Sequence, residues 1–185
     1  MLGEELYDDG YLNIVNTDIS PSVIKKMSNH CEKCSRMKWE VMDCLELSLK
    51  DLTFDVVIEK ATIEVFLVEE KSLWNISTTS RKVVQRMISE IDRVLKPEIG
   101  QFFSISFTAP HFRKILIESS FPENLKLSNI FELGETFHFY MYCFSNNSKI
   151  FAKTVFSYEP PKFKKLEYDF DDMNEDDNFL KSFDI

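Results

Sequence analysis

The sequence predicts an α/β fold whose sheet is mostly parallel and carries an antiparallel pair of strands near its C-terminal end. Short β-branched or aromatic runs alternate with helical segments, an order typical of parallel sheets. The clearest strand begins with the apolar run Phe54–Ile58, which is too short for a helix of its own, and its β-branched residues predict a buried strand. Two later strands, Leu125–Leu133 and Phe137–Phe144, flank a turn at Gly134 and therefore indicate an antiparallel edge.

The other elements follow in chain order. Met1–Asp9 is predicted to be helical, with Gly10 in the left-handed position that ends a helix. Ser20 and Pro21 are residue types that begin a helix. The strongest helical pattern is Arg81–Leu95, where apolar residues recur at a 3.6-residue period. The remaining predictions are strands at Leu12–Asn16, Lys38–Met42, Phe54–Glu59 and Gln101–Thr108, and a short helix at Pro110–Ser119.

Three of the predicted strands lead to a carboxylate. Asp18, Asp43 and Glu59 follow or end the first three strands in turn. Ligands of open α/β sheets bind at the carboxyl ends of the strands, so these side chains are candidate ligand contacts. The alternative interpretation is that they are ordinary solvated strand ends.

Composition limits the class of partner. The 185 residues carry 22 Lys+Arg against 31 Asp+Glu, a net charge of −9. This balance disfavours a nucleic-acid or anionic membrane surface and is compatible with a basic protein partner. No apolar run is long enough to span a bilayer, and the acidic start lacks the pattern of a signal peptide. The four cysteines favour reduced thiols and a cytoplasmic location.

The composition changes near Tyr158. Residues 159–185 contain nine acidic and four basic residues, and Pro160 and Pro161 lie near their start. We therefore predict one domain over residues 1–158 and a disordered acidic tail over 159–185. Phe179, Leu180 and Phe183 are a candidate docking element, and a solvated tail is the simpler interpretation.

Cys31 and Cys34 have C-x-x-C spacing. A zinc site normally needs a second Cys or His pair at similar spacing, and His30, His111 and His138 do not form one. We therefore predict no metal site. A redox disulfide is an alternative. The simplest interpretation is two incidental thiols on a surface loop before a strand.

Several stretches, in their order, resemble class I S-adenosylmethionine-dependent methyltransferases. They are NIVNTDIS, WEVMDCLEL, FDVVIEKATIEVFL and a helix ending DRVLKP, followed by GQFF. Together with LWNIS and TAPHFR, they are most similar to the methyltransferase-like proteins that methylate lysine on translation elongation factor 1-alpha. The resemblance covers nearly the whole chain. It implies a Rossmann-like sheet, S-adenosylmethionine as cofactor and a basic protein substrate, namely elongation factor 1-alpha.

The resemblance also implies cofactor contacts at two strand ends. Asp18, with Ile19 beside it, matches the position whose carboxylate accepts both ribose hydroxyls. Asp43 matches the residue that, with the backbone N–H of Cys44, reads the adenine edge. The alternative is that both aspartates are surface residues.

Catalytic and substrate positions are implied as well. Glu59 and Lys60 match the place where methyl donor and target meet, and a local ion pair on a loop is the alternative. Trp74, His111 and Phe112 are candidates for lining a lysine channel, and a role in the core or at a rim is the alternative.

The family's first central strand and its glycine-rich loop have no counterpart here. Glycine permits close backbone approach to the methionine end of the cofactor, and the chain has only four, Gly3, Gly10, Gly100 and Gly134. We therefore expect an incomplete cofactor site and a partial sheet, lacking the central strand between the Asp18 and Glu59 strands. A fragment of a longer protein is the preferred interpretation, and loss of catalysis is the other.

The implied function is protein-lysine methylation, impaired in the 185-residue chain. Transfer would be direct and would require a neutral lysine amine. Deprotonating an ordinary lysine at neutral pH costs roughly 4 kcal/mol, which a buried aromatic channel lowers. Ala61 and Glu64 replace the Gly and Asp of the family pattern, a departure at the implied site. The alternative function is a catalytically dead, methyltransferase-like protein-binding module.

Overall fold

A computed structural model describes residues 2–31, 34–134 and 138–147. The predicted tail over 159–185 lies outside these ranges. Within them, no helix combines the length and apolar character needed to cross a membrane. The helices are α1 (Leu2–Asp8), α2 (Pro21–His30), α3 (Thr62–Phe66), α4 (Thr78–Val94) and α5 (Pro110–Ser120). The strands are β1 (Val15–Asp18), β2 (Lys38–Val41), β3 (Val56–Lys60), β4 (Gln101–Ser106), β5 (Lys126–Leu133) and β6 (Phe139–Ser145).

The described strands form two sheets. β1 and β2 pair in parallel, with Val15 opposite Lys38 and Asp18 opposite Val41. The second sheet has the order β3-β4-β6-β5. β3 and β4 are parallel, and β6 is antiparallel to both of its neighbours. The α/β class, the parallel pairings and the antiparallel C-terminal pair are therefore confirmed.

The two sheets each have an open edge. β1 is bonded only to β2, and β3 is bonded only to β4, among the strands that the structure describes. β1 and β3 do not pair with each other. The sequence resemblance predicted a vacant central position between these strands, or direct pairing across it. Among the described residues the direct pairing does not occur, and β1 and β3 each have one unpaired side.

The main core lies between α4, α5 and one face of the four-stranded sheet. Alternate residues of β4 and β6, such as Phe102 opposite Phe144, point to this face and are buried. The helical period predicted for α4 is also confirmed, because its apolar residues are the buried ones. The buried α4 residues are Val84, Met87, Ile88, Ile91 and Val94.

The ends of the elements follow local hydrogen bonds. Gly10 has φ +99°, which confirms the predicted left-handed end of α1. The Ser20 hydroxyl accepts the N–H of Val23 and caps α2 as predicted. Residue 78 rather than Arg81 begins α4, because the Ser77 hydroxyl caps that helix. β1 begins later than predicted, because its ladder with β2 starts only at residue 15.

One expectation for β3 is wrong. The apolar run predicted a buried strand, yet Val56 is 43% exposed and Ile58 is 38% exposed, while Glu59 is buried. β3 is an edge strand, and its side chains alternate between two faces. Val57 and Glu59 point to the helix side, whereas the other face is left open by the described residues.

The location predicted for the cysteine pair is also wrong. Cys31 and Cys34 are each only 3% exposed and pack with Met37 in a small second core. The partly buried side chains of Tyr7, Ile14 and Trp39 surround this core, so both thiols are covered. The two thiols lie 3.4 Å apart between their sulfur atoms.

Candidate functional site

Asp18 and Asp43 lie at the carboxyl ends of adjacent parallel strands. Asp18 is the last residue of β1, and Asp43 follows the end of β2 by two residues. The backbone O of Asp18 accepts the N–H of Met42 at 3.0 Å, so the two strand ends are held side by side. The sequence-based expectation that these carboxylates share one edge of the sheet is met by the structure.

Each aspartate is oriented by the chain that follows it. Asp18 Oδ1 accepts the Ser20 N–H at 2.8 Å, and Asp43 Oδ1 accepts the Leu45 N–H at 2.8 Å. In each of these turns one carboxylate oxygen accepts a backbone N–H, and this hydrogen bond fixes the orientation of the carboxyl group. Ile19, between Asp18 and Ser20, is 69% exposed and presents an apolar surface beside the carboxylate.

Cys44, which follows Asp43, packs against the main core. Its side chain is half-buried, and Val57 of β3 packs against the same core. Burial, then the negative charge of Asp43 and that of Glu59, raise the pKa of the Cys44 thiol. The chain after β2 and the strand β3 therefore share one core.

The loop after β2 is anchored to α4 by residues that the sequence reasoning did not single out. Arg93 donates to the backbone O of Leu47 at 2.7 Å and of Leu49 at 2.8 Å. Glu90 accepts the N–H of Leu47 at 2.8 Å and also pairs with Arg93. Arg86 donates to the O of Leu45 at 2.9 Å. The sequence shows that Arg86, Glu90 and Arg93 lie on a predicted helix, but it does not show which loop residues they contact.

Glu59 is part of a buried polar network, not of a local ion pair with Lys60. Its Oε1 accepts the hydroxyl of Ser104, and its Oε2 accepts the N–H of Thr62 at 2.9 Å. Arg113 Nη2 lies 3.5 Å from Glu59 Oε1. Burial raises the pKa of the Glu59 carboxyl, against the opposing effects of the Ser104 hydrogen bond and the Arg113 charge.

Glu64 completes the network from α3. Its Oε1 accepts hydroxyl hydrogen bonds from Ser106 and from Thr108, the latter at 3.2 Å. Arg113 Nη1 lies 3.3 Å from the same oxygen. One guanidinium therefore faces two carboxylates at the carboxyl ends of β3 and β4. Glu64, which replaces the Asp of the pattern that the sequence resembles, therefore has defined partners in this network.

A tight turn joins the two carboxylates along the chain. Ala61 has φ 58° and ψ 20°, a left-handed conformation that favours glycine. Its N–H donates to the O of Ile105 at 3.0 Å. Lys60, the last residue of β3, precedes this turn and is exposed. The methyltransferase pattern that the sequence resembles has Gly where Ala61 stands. Glycine suits this position because it adopts a left-handed conformation more readily than alanine.

The three predicted substrate residues are in contact with one another. The Trp74 and Phe112 ring centroids are 4.9 Å apart, and those of His111 and Phe112 are 4.2 Å apart. Trp74 is 62% exposed, and His111 and Phe112 are half-buried on the first turn of α5. We call these three residues the aromatic cluster. Their contact brings together residues from two distant parts of the sequence.

The site thus has two parts. The first is formed by Asp18, Ile19, Asp43 and Cys44 at the ends of β1 and β2, and the second surrounds Glu59 at the end of β3. Across the described ranges, no group of three or more Cys, His, Asp or Glu side chains could hold a metal ion. A pair of carboxylates on parallel strand ends, with exposed apolar surface beside it, suits a polar ligand that has hydroxyl donors and a flat apolar group.

A comparison with protein families identifies the class. The model described as "Methyltransferase domain" matches residues 3–103, more than half of the chain. These residues run from α1 into β4 and include both aspartates and Glu59. The chain therefore belongs to the methyltransferase domain family. A solved S-adenosylmethionine-dependent methyltransferase from Methanosarcina mazei has the same fold, with a TM-score of 0.51 and 17% identity over 77% of this chain and 85% of that one.

Two similar mouse proteins have names that state what they methylate. EEF1A lysine methyltransferase 4 of Mus musculus is 33% identical over 141 residues, which are 76% of this chain and 54% of the mouse protein. The eEF1A lysine and N-terminal methyltransferase of the same species is 37% identical over 114 residues, 61% of this chain and 15% of that protein. The chain thus spans about half or less of the length of these relatives.

Proposed function

We propose that the chain is part of an S-adenosylmethionine-dependent protein-lysine methyltransferase that acts on elongation factor 1-alpha in the cytoplasm. The observation that carries the proposal is the pair of oriented carboxylates, Asp18 and Asp43, at the ends of adjacent parallel strands. The names of the similar mouse proteins supply the substrate. The negative charge of the chain, −9, favours a basic protein surface as partner.

The residues present fit the adenosine end of the cofactor. The carboxylate of Asp18 can accept hydroxyl donors, and the exposed Ile19 side chain offers an apolar surface beside it. Asp43 and the backbone of Cys44 supply polar groups on the adjacent strand end. When bound, S-adenosylmethionine would supply a methyl group on a sulfonium centre.

The residues do not include a holder for the methionine end. The 185-residue sequence has four glycines and no glycine-rich loop. A donor held only at its adenosine end is poorly oriented, and orientation contributes several kcal/mol to such reactions. We therefore propose that the 185-residue chain alone is impaired in methyl transfer.

The aromatic cluster is the proposed lysine-binding surface. A lysine side chain packed against Trp74, His111 and Phe112 would lose part of its hydration. This loss would disfavour the charged ammonium, and so lower the roughly 4 kcal/mol that deprotonation at neutral pH requires. His111 and Phe112 lie on the turn that precedes Arg113, whose guanidinium reaches Glu59. This link between α5 and the end of β3 supports the assignment of the cluster to the substrate.

Methyl transfer from radiolabelled cofactor tests this function. The 185-residue chain is compared with a chimera in which a strand and a glycine-rich loop of the methyltransferase type precede residue 1. The chimera should label one or more lysines of elongation factor 1-alpha, located by mass spectrometry, and the shorter chain should label weakly or not at all. A chimera that binds the cofactor but leaves elongation factor 1-alpha unlabelled would contradict the substrate. Saturable labelling by the 185-residue chain would contradict the impairment.

A second candidate is a catalytically dead protein-binding module. The observation that favours it is the face of the four-stranded sheet that the described helices leave uncovered, which carries large apolar side chains. The exposed ones are Val56, Ile58, Phe131, Leu133 and Phe139. Exposed apolar patches of this kind mark interaction surfaces. A chimera that binds no cofactor, together with specific binding of elongation factor 1-alpha by the 185-residue chain, would favour this candidate.

A further inference from the structure

Arg113 is the most buried charged residue in the part of the chain that the structure describes. Its side chain is 1% exposed, and the two carboxylates that face it, Glu59 and Glu64, are 5% and 11% exposed. Its Nη2 donates to the Ser104 hydroxyl at 2.8 Å. Its guanidinium carbon also lies 5.5 Å from the centre of the Tyr142 ring, a cation–π distance.

Stability alone does not account for such an arrangement. Removing charges from water is expensive, and a buried ion pair is often no more stabilising than apolar residues of similar volume. Two carboxylates against one guanidinium also leave one negative charge uncompensated within this group. What a planar guanidinium does provide is a fixed geometry, because its nitrogen atoms reach two partners at once.

The partners of Arg113 belong to three different elements. Glu59 is at the end of β3 and holds the turn at Ala61 through the Thr62 N–H. Glu64 is in α3, and Ser104 is in β4. Arg113 itself follows His111 and Phe112 on α5. One side chain therefore connects the strand end with the helix that carries two members of the aromatic cluster.

We propose that Arg113 is a positioning residue that fixes the aromatic cluster relative to the Glu59–Lys60 strand end. Nη1 of Arg113 faces Glu64 and Nη2 faces Glu59 and Ser104, so the first turn of α5 cannot shift without breaking several contacts. The inference rests on the proposed function only where it assigns the cluster to substrate lysine. The contacts of Arg113 with Glu59, Glu64 and Ser104 do not depend on the cofactor.

Trp74 fluorescence tests the inference in the 185-residue chain. The chain has two tryptophans, so Trp39→Phe leaves Trp74 as the only tryptophan reporter. In this background Arg113→Met should raise the acrylamide quenching of Trp74, because its ring contacts with α5 loosen. Arg113→Lys should not restore the parent value, since an ammonium lacks the two-armed geometry. The control is Lys114→Met, an exposed neighbour on α5 that should leave quenching unchanged.

Circular dichroism separates positioning from unfolding. If Arg113→Met does not fold, Arg113→Lys and Glu64→Gln test the same bridge with a smaller change, and both should raise quenching while keeping the helical signal. Unchanged Trp74 quenching in any folded variant of this set would overturn the inference. In the chimera described above, Arg113→Lys should raise the KM for elongation factor 1-alpha and leave cofactor affinity unchanged. Failure of the chimera to bind cofactor would count against the proposed function, while Trp74 quenching would still decide the role of Arg113.

Discussion

At the scale of single residues, Ala61 has a strained backbone conformation directly after β3. Its left-handed backbone places Lys60 and Thr62 on either side of a sharp turn. A non-glycine residue in this conformation is destabilised by about 1–2 kcal/mol. Hydrogen bonds on both sides hold the turn, from Ala61 to Ile105 and from Thr62 to Glu59. The turn is therefore imposed by its surroundings and not by the preference of alanine.

Ala61→Gly should stabilise the fold. Relief of the left-handed strain, less the greater flexibility of glycine in the unfolded chain, predicts a gain of about 0.5–1 kcal/mol. Urea unfolding measures it. Lys82→Gly is the control, because residue 82 lies at an exposed position inside α4, where glycine should lower stability by about 0.5–1 kcal/mol. A loss of stability for Ala61→Gly would show that the methyl group of Ala61 makes a contact more important than the strain.

Glu59 gives stability a dependence on pH. Because its pKa is raised in the folded protein, its contribution is present below the ordinary value of 4.5 and is lost as pH rises through the folded pKa. Glu59→Gln removes this ionisation and leaves Arg113 facing Glu64 alone. Relative to the parent, the variant should therefore gain stability as pH rises above 4.5, measured by urea unfolding at several pH values. The exposed Glu123→Gln should leave the slope unchanged, and a parallel slope for Glu59→Gln would contradict the raised pKa.

At the scale of elements, α4 anchors the loop that contains Asp43 and Cys44, the second half of the proposed cofactor site. Residues 43–52 have no strand or helix of their own, and their backbone oxygen atoms bond to arginine side chains. Arg93 has the largest number of these bonds, and hydrogen bonds to Glu90 and Asp51 raise its pKa, so it stays charged. Cys44 and Leu45 are consequently held against the main core.

Arg93→Met should loosen this loop more than it affects the sheets. Two carbonyl groups, of Leu47 and Leu49, would lose a charged donor, with an expected loss of about 2 kcal/mol in the free energy of unfolding. Hydrogen exchange at Leu47 should accelerate most within the loop. Arg86→Met, which removes a more exposed side chain with one carbonyl partner, is the smaller matched change. Equal exchange rates in the two variants would contradict an anchoring role for Arg93.

Much of the element order could be predicted from sequence, because it depends on local signals. Capping by Ser20 and the left-handed Gly10 are properties of a few neighbouring residues, and both are observed. The exposure of β3 could not be predicted, since it depends on whether another element covers its outer face. The role of Arg113 was equally hidden, because an arginine in a helix is most often exposed and only its distant partners, Glu59 and Glu64, explain its burial.

At the scale of the whole molecule, the two sheets present their candidate ligand groups at strand ends with an open edge on each sheet. Unpaired edges and apolar faces are sites where further polypeptide can pair or pack. The described residues provide the acids of the first sheet and the buried network of the second. We propose that the first sheet holds the adenosine end of the cofactor through Asp18.

Calorimetry of S-adenosylmethionine binding tests this claim most directly, using the chimera with and without Asp18→Ala. Loss of a charged hydrogen-bond acceptor is worth about 1.5–3 kcal/mol, so affinity should fall roughly ten- to a hundredfold. Asp9→Ala, which changes an exposed acid outside the site, should leave the affinity unchanged. Equal affinities of the parent chimera and its Asp18→Ala variant would contradict the claim and remove Asp18 from the cofactor site.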